Sequence, residues 1–359
     1  MAMTGNKGEW SEIYAFLRLL ADGKLFAADE QLNRIRGMFF PIIKIIREET
    51  PGTPYEYRPN LTDAEVEIYL DDEPILRLPV GMFDTAANDL LAEINARGAG
   101  KGAFEITGTE AFIHRICVNR LKAPSSDKSD ISIQIHDIHT GYENVVGFSI
   151  KSELGSPPTL LNAGKTTNFI YHVAGLDAGH IPAINGINTR GKLKDRVKAI
   201  IEAGGTLEFD RTENAVFNNN LVMIDSQMPA IVAHMLIGYY TGAANNCVEL
   251  TRYISSVDPL SLSLEFYQHK IEELLCVAAL GMKPATRWDG TDEASGGYII
   301  VRTNGDVLAY HIYNRDAFKG YLLKNTRLER GSSTRHGFGT LFEQDGEVYI
   351  KLNLQIRFT

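Results

Sequence analysis

Cysteine is nearly absent. Cys117, Cys247 and Cys276 are the three in 359 residues, isolated and without CxxC spacing, which argues against a disulfide framework and a zinc-thiolate site and leaves them as core thiols. Long apolar runs are missing too: the stretch from Ala230 to Ala244 is too short to cross a bilayer and is interrupted by His234, Gly238 and Gly242. The N-terminal MAMTGNKGEWSE has no apolar signal region, so no membrane association is expected and the protein is expected to be cytoplasmic. There are no internal repeats and no low-complexity segment. Nucleotide loops are also lacking. Gly164-Lys165-Thr166 has Thr159 where a phosphate-binding loop needs glycine, and Gly98-x-Gly100-x-Gly102 lacks dinucleotide spacing. His136 and His139, three apart on a strand, point to opposite faces and make a poor metal pair.

An excess of positive charge is the last absence, since the net charge is -9. Spread evenly, that would argue against a polyanionic partner. It is not spread evenly: between Glu48 and Glu110 fourteen Asp or Glu face four Lys or Arg, so the rest of the chain is close to neutral. From Arg315 to Phe338 the balance reverses, with Arg315, Lys319, Lys324, Arg327, Arg330 and Arg335 against Asp316 and Glu329. Such a run can accept phosphates, although many basic runs are only solvated surface.

What remains is the composition of an ordinary globular α/β protein, 44% hydrophobic and 23% charged, with a length that suggests two domains. Apolar residues at helical spacing predict a helix over Glu9 to Ala21, ended by Asp22-Gly23. Phe39 to Ile46 reads as a strand, and Glu65 to Leu70 with Pro74 to Leu78 as a hairpin around Asp71-Asp72-Glu73. Helices are predicted from Phe83 to Ala96 and Thr109 to Leu121. A polar connector, Pro124 to Ser129, leads to a hairpin from Asp130 to His139 and Asn144 to Leu154, with Thr140-Gly141 at its turn. A strand from Asn168 to Ala174 precedes helices around Lys192 to Ala203, Asn214 to Met223, Pro229 to Tyr240 and Leu264 to Leu280. Beyond the Gly-, Asp- and Thr-rich segment Gly281 to Gly297 the pattern changes to strands: Tyr298 to Arg302, Val307 to Tyr313, Gly339 to Glu343 and Glu347 to Phe358. The expected division is therefore a core at 1–282, with an acidic segment and a helical middle, and a β-rich module at 283–359.

The hairpin SDISIQIHDIHTGYENVVGFSIKS carries the chemistry. Antiparallel strands return past each other, so Asp130 and Lys151 can meet at one edge, while Ser149, Lys151 and Glu153 share a face. Phosphodiester hydrolysis needs a hard cation held by carboxylates, a polarised water and positive charge near the phosphate. Asp130 can ligate such a cation and Lys151 can serve the water. Asp137, only fourteen residues before Lys151, is the second choice. On the final strand, Lys351, Asn353, Gln355 and Arg357 alternate with Leu352, Leu354, Ile356 and Phe358. A row of long hydrogen-bonding side chains suits a DNA groove, where Arg pairs with guanine and amides bond base edges, though a solvent-facing strand would look the same. Arg330, Arg335 and His336 just before it can add base or phosphate contacts.

The acid and Ser-x-Lys of the hairpin resemble the PD-(D/E)xK nuclease motif, with Ser129 in place of proline and Ser149 in place of the second acid. A hydroxyl ligates magnesium more weakly than a carboxylate, so another acid must complete the site. The candidates are Glu153, Glu9 and Glu12. Nucleases of this class often bring a Glu from the first helix, and Gly8-x-x-x-Glu12 looks like that usage. The bland reading is that Glu9 and Glu12 only favour the first helical turn. GNKGEWSEIY at 5–14, GFSIKSELGSPPTLLNAGKTTNFIY at 147–171, GGYIIVRTNGDVLAYHIYN at 296–314, SSTRHGFG at 332–339 and YIKLNLQIRF at 349–358 together resemble the HpaII family of type II restriction endonucleases.

That resemblance implies a restriction-endonuclease-like core, a mixed sheet flanked by helices, with the C-terminal β-rich module recognising DNA. It implies Mg2+-dependent cleavage of both strands of duplex DNA at unmethylated CCGG, a cognate methyltransferase acting on the same site, and a chain that can form a homo-oligomer. The competing readings are a sequence-specific DNA-binding protein weakened in catalysis, and a helical interaction protein that never meets DNA.

Overall fold

The computed structural model describes residues 3–98, 102–122, 129–137, 141–311 and 314–359. The predicted connector at 124–128, His139, Thr140 and residues 312–313 lie outside them. The fold is mixed α/β, and the chain divides into two compact units, Met1–Pro158 with Asp292–Phe318, and Thr159–Thr291 with Lys319–Thr359.

The first unit runs β1 (Thr4–Gly5), α1 (Lys7–Asp22), β2 (Lys24–Ala28), β3 (Arg34–Thr50), β4 (Thr53–Asn60), β5 (Glu65–Leu70), β6 (Glu73–Pro79), α2 (Val80–Ala96), β7 (Phe104–Glu105), α3 (Glu110–Arg115), β8 (Ile131–Ile135) and β9 (Val145–Ser152). Helix α1 begins where the Asn6 side chain accepts from the Glu9 N–H and the Glu9 carboxylate accepts from the Asn6 N–H, a reciprocal capping box. It ends at Gly23, whose φ of 58° is left-handed. Trp10, Ile13, Tyr14, Phe16, Leu17 and Leu20 are buried, so the helix forms the centre of the core rather than a surface cover.

Around it lies a sheet in the order β2-β14-β13-β9-β8-β3-β4-β5-β6. Strands β13 (Gly297–Val301) and β14 (Val307–His311) return to this unit after the chain has built most of the second one. β13 runs parallel to β9, and β14 parallel to β2. Strand β2 also pairs with the first half of β3, so the sheet closes on itself like a barrel, and β4, β5 and β6 continue from the second half of β3.

In the second unit, β10 (Thr159–Leu161), β11 (Asn168–Ala174), α4 (Ile181–Asn185), α5 (Lys192–Glu202), β12 (Thr206–Thr212), α6 (Ala215–Ile224), α7 (Met228–Thr241), α8 (Cys247–Val257) and α9 (Leu264–Leu280) precede the return. The boundary between units falls within α10 (Arg315–Lys324), and β15 (Thr326–Leu328), α11 (Ser333–His336), β16 (Leu341–Gln344), β17 (Glu347–Asn353) and β18 (Ile356–Phe358) follow. Strands β12-β11-β17-β16 form an antiparallel sheet and β10-β18-β15 a small second one. Among the described residues no single helix is long and apolar enough to cross a membrane.

The division expected at 282/283 is replaced. β13 and β14 pair with β9 and β2 of the first unit, while β15 to β18 pack in the second, because strand pairing over long separations overrides the change of composition along the chain. The predicted helix from Thr109 to Leu121 covers only α3, since Cys117 takes a left-handed φ of 64°. The single last strand is two, β17 and β18, separated at Leu354 and Gln355.

Candidate active site

The β8–β9 register brings the expected residues together. Ile131 lies opposite Phe148, and the Asp130 N–H donates to the Phe148 carbonyl at 2.8 Å, which sets the Asp130 side chain beside the middle of β9. Its Oδ2 accepts from the Ile150 N–H at 2.7 Å and from Ser149 Oγ at 3.1 Å. Lys151 Nζ donates to the same Ser149 Oγ at 3.1 Å. The buried Ser149 hydroxyl therefore links the ammonium to the carboxylate where a second acid would otherwise stand. On the far side β13 places Tyr298 opposite Ser149, and its ring centroid lies 5.6 Å from Lys151 Nζ, a cation–π contact that restrains the lysine.

Glu12 comes to this centre from α1. Ser152 Oγ donates to Ser11 Oγ at 2.8 Å, joining the end of β9 to the helix one residue before Glu12. Burial raises the Glu12 carboxyl to about 7, and the charge of Asp130 adds to the rise; Lys122, Lys151 and Arg47 oppose it. Two carboxylates sharing one partly buried place repel each other, and a divalent cation between them would relieve that repulsion. Magnesium is commonly held by one or two carboxylates together with waters and substrate phosphates, so the pair fits. Among the described residues no cluster of three or more His, Cys, Asp or Glu side chains is arranged to hold a metal.

The other expected acids are placed differently. Glu9 closes the α1 capping box, and Glu153 lies exposed just past β9, its N–H donating to Val301. Asp137 is buried beyond the opposite end of β8, where its charge partly offsets the burial that lowers His311 to about 4. Two cations near the centre carry no sequence signal. Arg47 forms a buried pair with Glu49 at 2.5 Å and bonds the Arg120 carbonyl, while Glu49 Oε2 accepts from the Asn119 N–H at 2.9 Å. That clamp holds the segment leading into Lys122. Glu49 lies in the acidic stretch, where nothing in the sequence marks it as structural.

In the second unit, α11 forms between the Ser332 cap and Gly337, whose φ is 65°. The loop bearing Arg330, Arg335 and His336 is tied down: Arg330 Nη1 donates to the Arg190 carbonyl at 2.8 Å, and Asn168 Nδ2 donates to the His336 carbonyl at 2.9 Å. Gly331 is required there, because a Cβ would sit 2.7 Å from the Ala163 Cβ. The alternation of the last segment holds for Leu352, Leu354, Ile356 and Phe358, which are buried, but Asn353 departs from it. It is 1% exposed, with Nδ2 shared among Gly164 O, Thr167 Oγ1 and Asn168 Oδ1, so the turn at 164–168 covers it and removes it from any open face. Lys351 is paired with Glu213, and Arg357 with Glu329 at 2.8 Å, while Gln355 stays half-buried.

Comparison with known proteins adds the decisive observation. A model of the HpaII restriction endonuclease family matches residues 6–358. The chain belongs to this family. It is 40% identical to the type II restriction enzyme HpaII of Haemophilus parainfluenzae over 359 residues, 99% of this chain and 98% of that one. No solved structure matches. As a type II restriction endonuclease, it has DNA as its partner, and the reading as an interaction protein that never meets DNA is set aside.

Proposed function

We propose that this endonuclease hydrolyses both strands of duplex DNA at unmethylated CCGG with Mg2+, from a restriction-endonuclease-like core in the first unit. The chain Lys151–Ser149–Asp130, with the Glu12 carboxyl beside it, carries the proposal. Asp130 and Glu12 would hold the cation, which when bound supplies Lewis-acid polarisation of the phosphate. Asp130 is oriented for this by the Ile150 N–H and Ser149 Oγ, both on Oδ2. Lys151 orients the attacking water and contributes positive charge to the phosphate as charge develops there. Ser149 fixes the lysine relative to the carboxylate and is not itself asked to replace the missing acid.

Reading of the site is assigned to the second unit, to Arg330, Arg335, His336, Lys351, Gln355 and Arg357, and not to a separate module beginning at 283. A two-fold homo-oligomer would match a palindromic site, and a methyltransferase acting on the same sequence would protect host DNA. Digestion of unmethylated plasmid followed by sequencing of the ends tests the site. Asp130→Ala and Lys151→Ala should each slow cleavage by at least ~100-fold while specific binding persists. Near-normal cleavage by Asp130→Ala, or loss only with the control Asp137→Ala, would refute the centre. Retardation of DNA without fragments in the unsubstituted protein would favour a binding protein weakened in catalysis.

A further inference from the structure

The basic loop of the second unit has an acid beside it, at Glu213. This residue follows β12, its N–H held by the Asn168 carbonyl at 2.9 Å. Its Oε2 accepts from Asn168 Nδ2 at 2.7 Å, and its Oε1 takes the Lys351 ammonium. Asn168 gives a second bond to the His336 carbonyl and accepts from the buried Asn353. The carboxylate is thus fixed from its backbone and from both oxygens, on a network that also anchors the loop bearing Arg330, Arg335 and His336. Its side chain nevertheless remains 32% exposed.

A carboxylate on a surface that meets a polyanion weakens binding unless it finds a donor. In the major groove guanine offers the acceptors N7 and O6, and thymine the acceptor O4. Adenine sets its N6 donor beside the acceptor N7, and cytosine presents only the N4 amino donor. A carboxylate oxygen can accept two hydrogen bonds, and each oxygen of Glu213 has one of the contacts described above, so a further donor can be taken. We propose that Glu213 is a specificity-determining residue that accepts a hydrogen bond from the N4 amino group of a cytosine in the recognised site, with Asn168 and Lys351 orienting it. This rests on the proposed reading of a cytosine-containing site by the second unit, and it names the base that one side chain reads.

Plasmid digestion by the unsubstituted protein first defines the site. Binding is then measured, without a divalent cation, to duplexes in which one cytosine at a time is replaced by the 2-pyrimidinone nucleotide, which lacks the amino group. Glu213→Ala is compared with Glu213→Gln, which keeps an acceptor for Asn168 and guards against misfolding. At one cytosine the replacement should weaken binding by roughly 10- to 100-fold in the unsubstituted protein, and Glu213→Ala should weaken binding to the natural site comparably. The two losses should not add. If both variants still discriminate at every cytosine, or weaken specific and random duplexes by the same factor, Glu213 is an anchor for Lys351 and the proposal falls. A site of A and T alone would overturn the CCGG reading as well, whereas a cytosine-containing site insensitive to Glu213 overturns this inference only.

Discussion

Glu12→Gln in the metal-free protein should abolish a pH dependence of stability that the unsubstituted chain carries. Its carboxyl titrates near 4.5 when unfolded and at about 7 when folded, because burial and the Asp130 charge disfavour the anion. The folded state therefore holds the proton more tightly, and the stability this group contributes is fully present below pH 4.5 and lost as pH rises through 7. Each tenfold difference in proton affinity between the two states is worth about 1.4 kcal/mol, so the full loss is about 3 kcal/mol, most of it between pH 5 and 8. Urea unfolding at both pH values, with chelator present and the fluorescence of the buried Trp10 as the probe, measures it. His311, lowered to about 4 by burial, works with the opposite sign, its contribution being lost as pH falls, but it is present in both proteins and cancels in the difference. The stability difference between the unsubstituted protein and Glu12→Gln should change by about 2 to 3 kcal/mol across this range. A difference that stays constant across this range would mean that burial beside Asp130 does not raise the Glu12 carboxyl, and would refute the reasoning.

The same carboxylate should matter to the metal: Glu12→Gln should raise the magnesium concentration for half-maximal cleavage far more than Glu153→Gln, and the reverse order would transfer the missing charge to the exposed acid beyond β9. In the second unit, Arg357→Ala and Gln355→Ala should weaken binding to CCGG more than to random duplex, as base contacts worth about 1 to 3 kcal/mol do. Asn353→Ala should instead lower stability by about 1 to 3 kcal/mol through its lost buried bonds; a selective loss of sequence discrimination in a fully stable Asn353→Ala protein would return it to the reading face.

Local chemistry along the chain determined much of this protein. The spacing of Trp10, Ile13, Tyr14 and Leu17 before Asp22-Gly23 specified α1, and the Asp71-Asp72-Glu73 turn specified the hairpin of β5 and β6. Strand alternation and antiparallel return were enough to bring Asp130, Ser149 and Lys151 together, because a hairpin is a local structure whose register follows from its own residues. Pro54 and Pro59 hide β4, which pairs nonetheless between β3 and β5. Only tertiary structure decided the rest. Closure of β2 onto β3, the return of β13 beside β9, the burial that moves Glu12 and the covering of Asn353 by the turn at 164–168 all join residues far apart in sequence. Periodicity carries no record of such contacts. A side chain's neighbours set its charge and accessibility, and for Glu12, Glu213 and Asn353 those neighbours come from other elements of the fold.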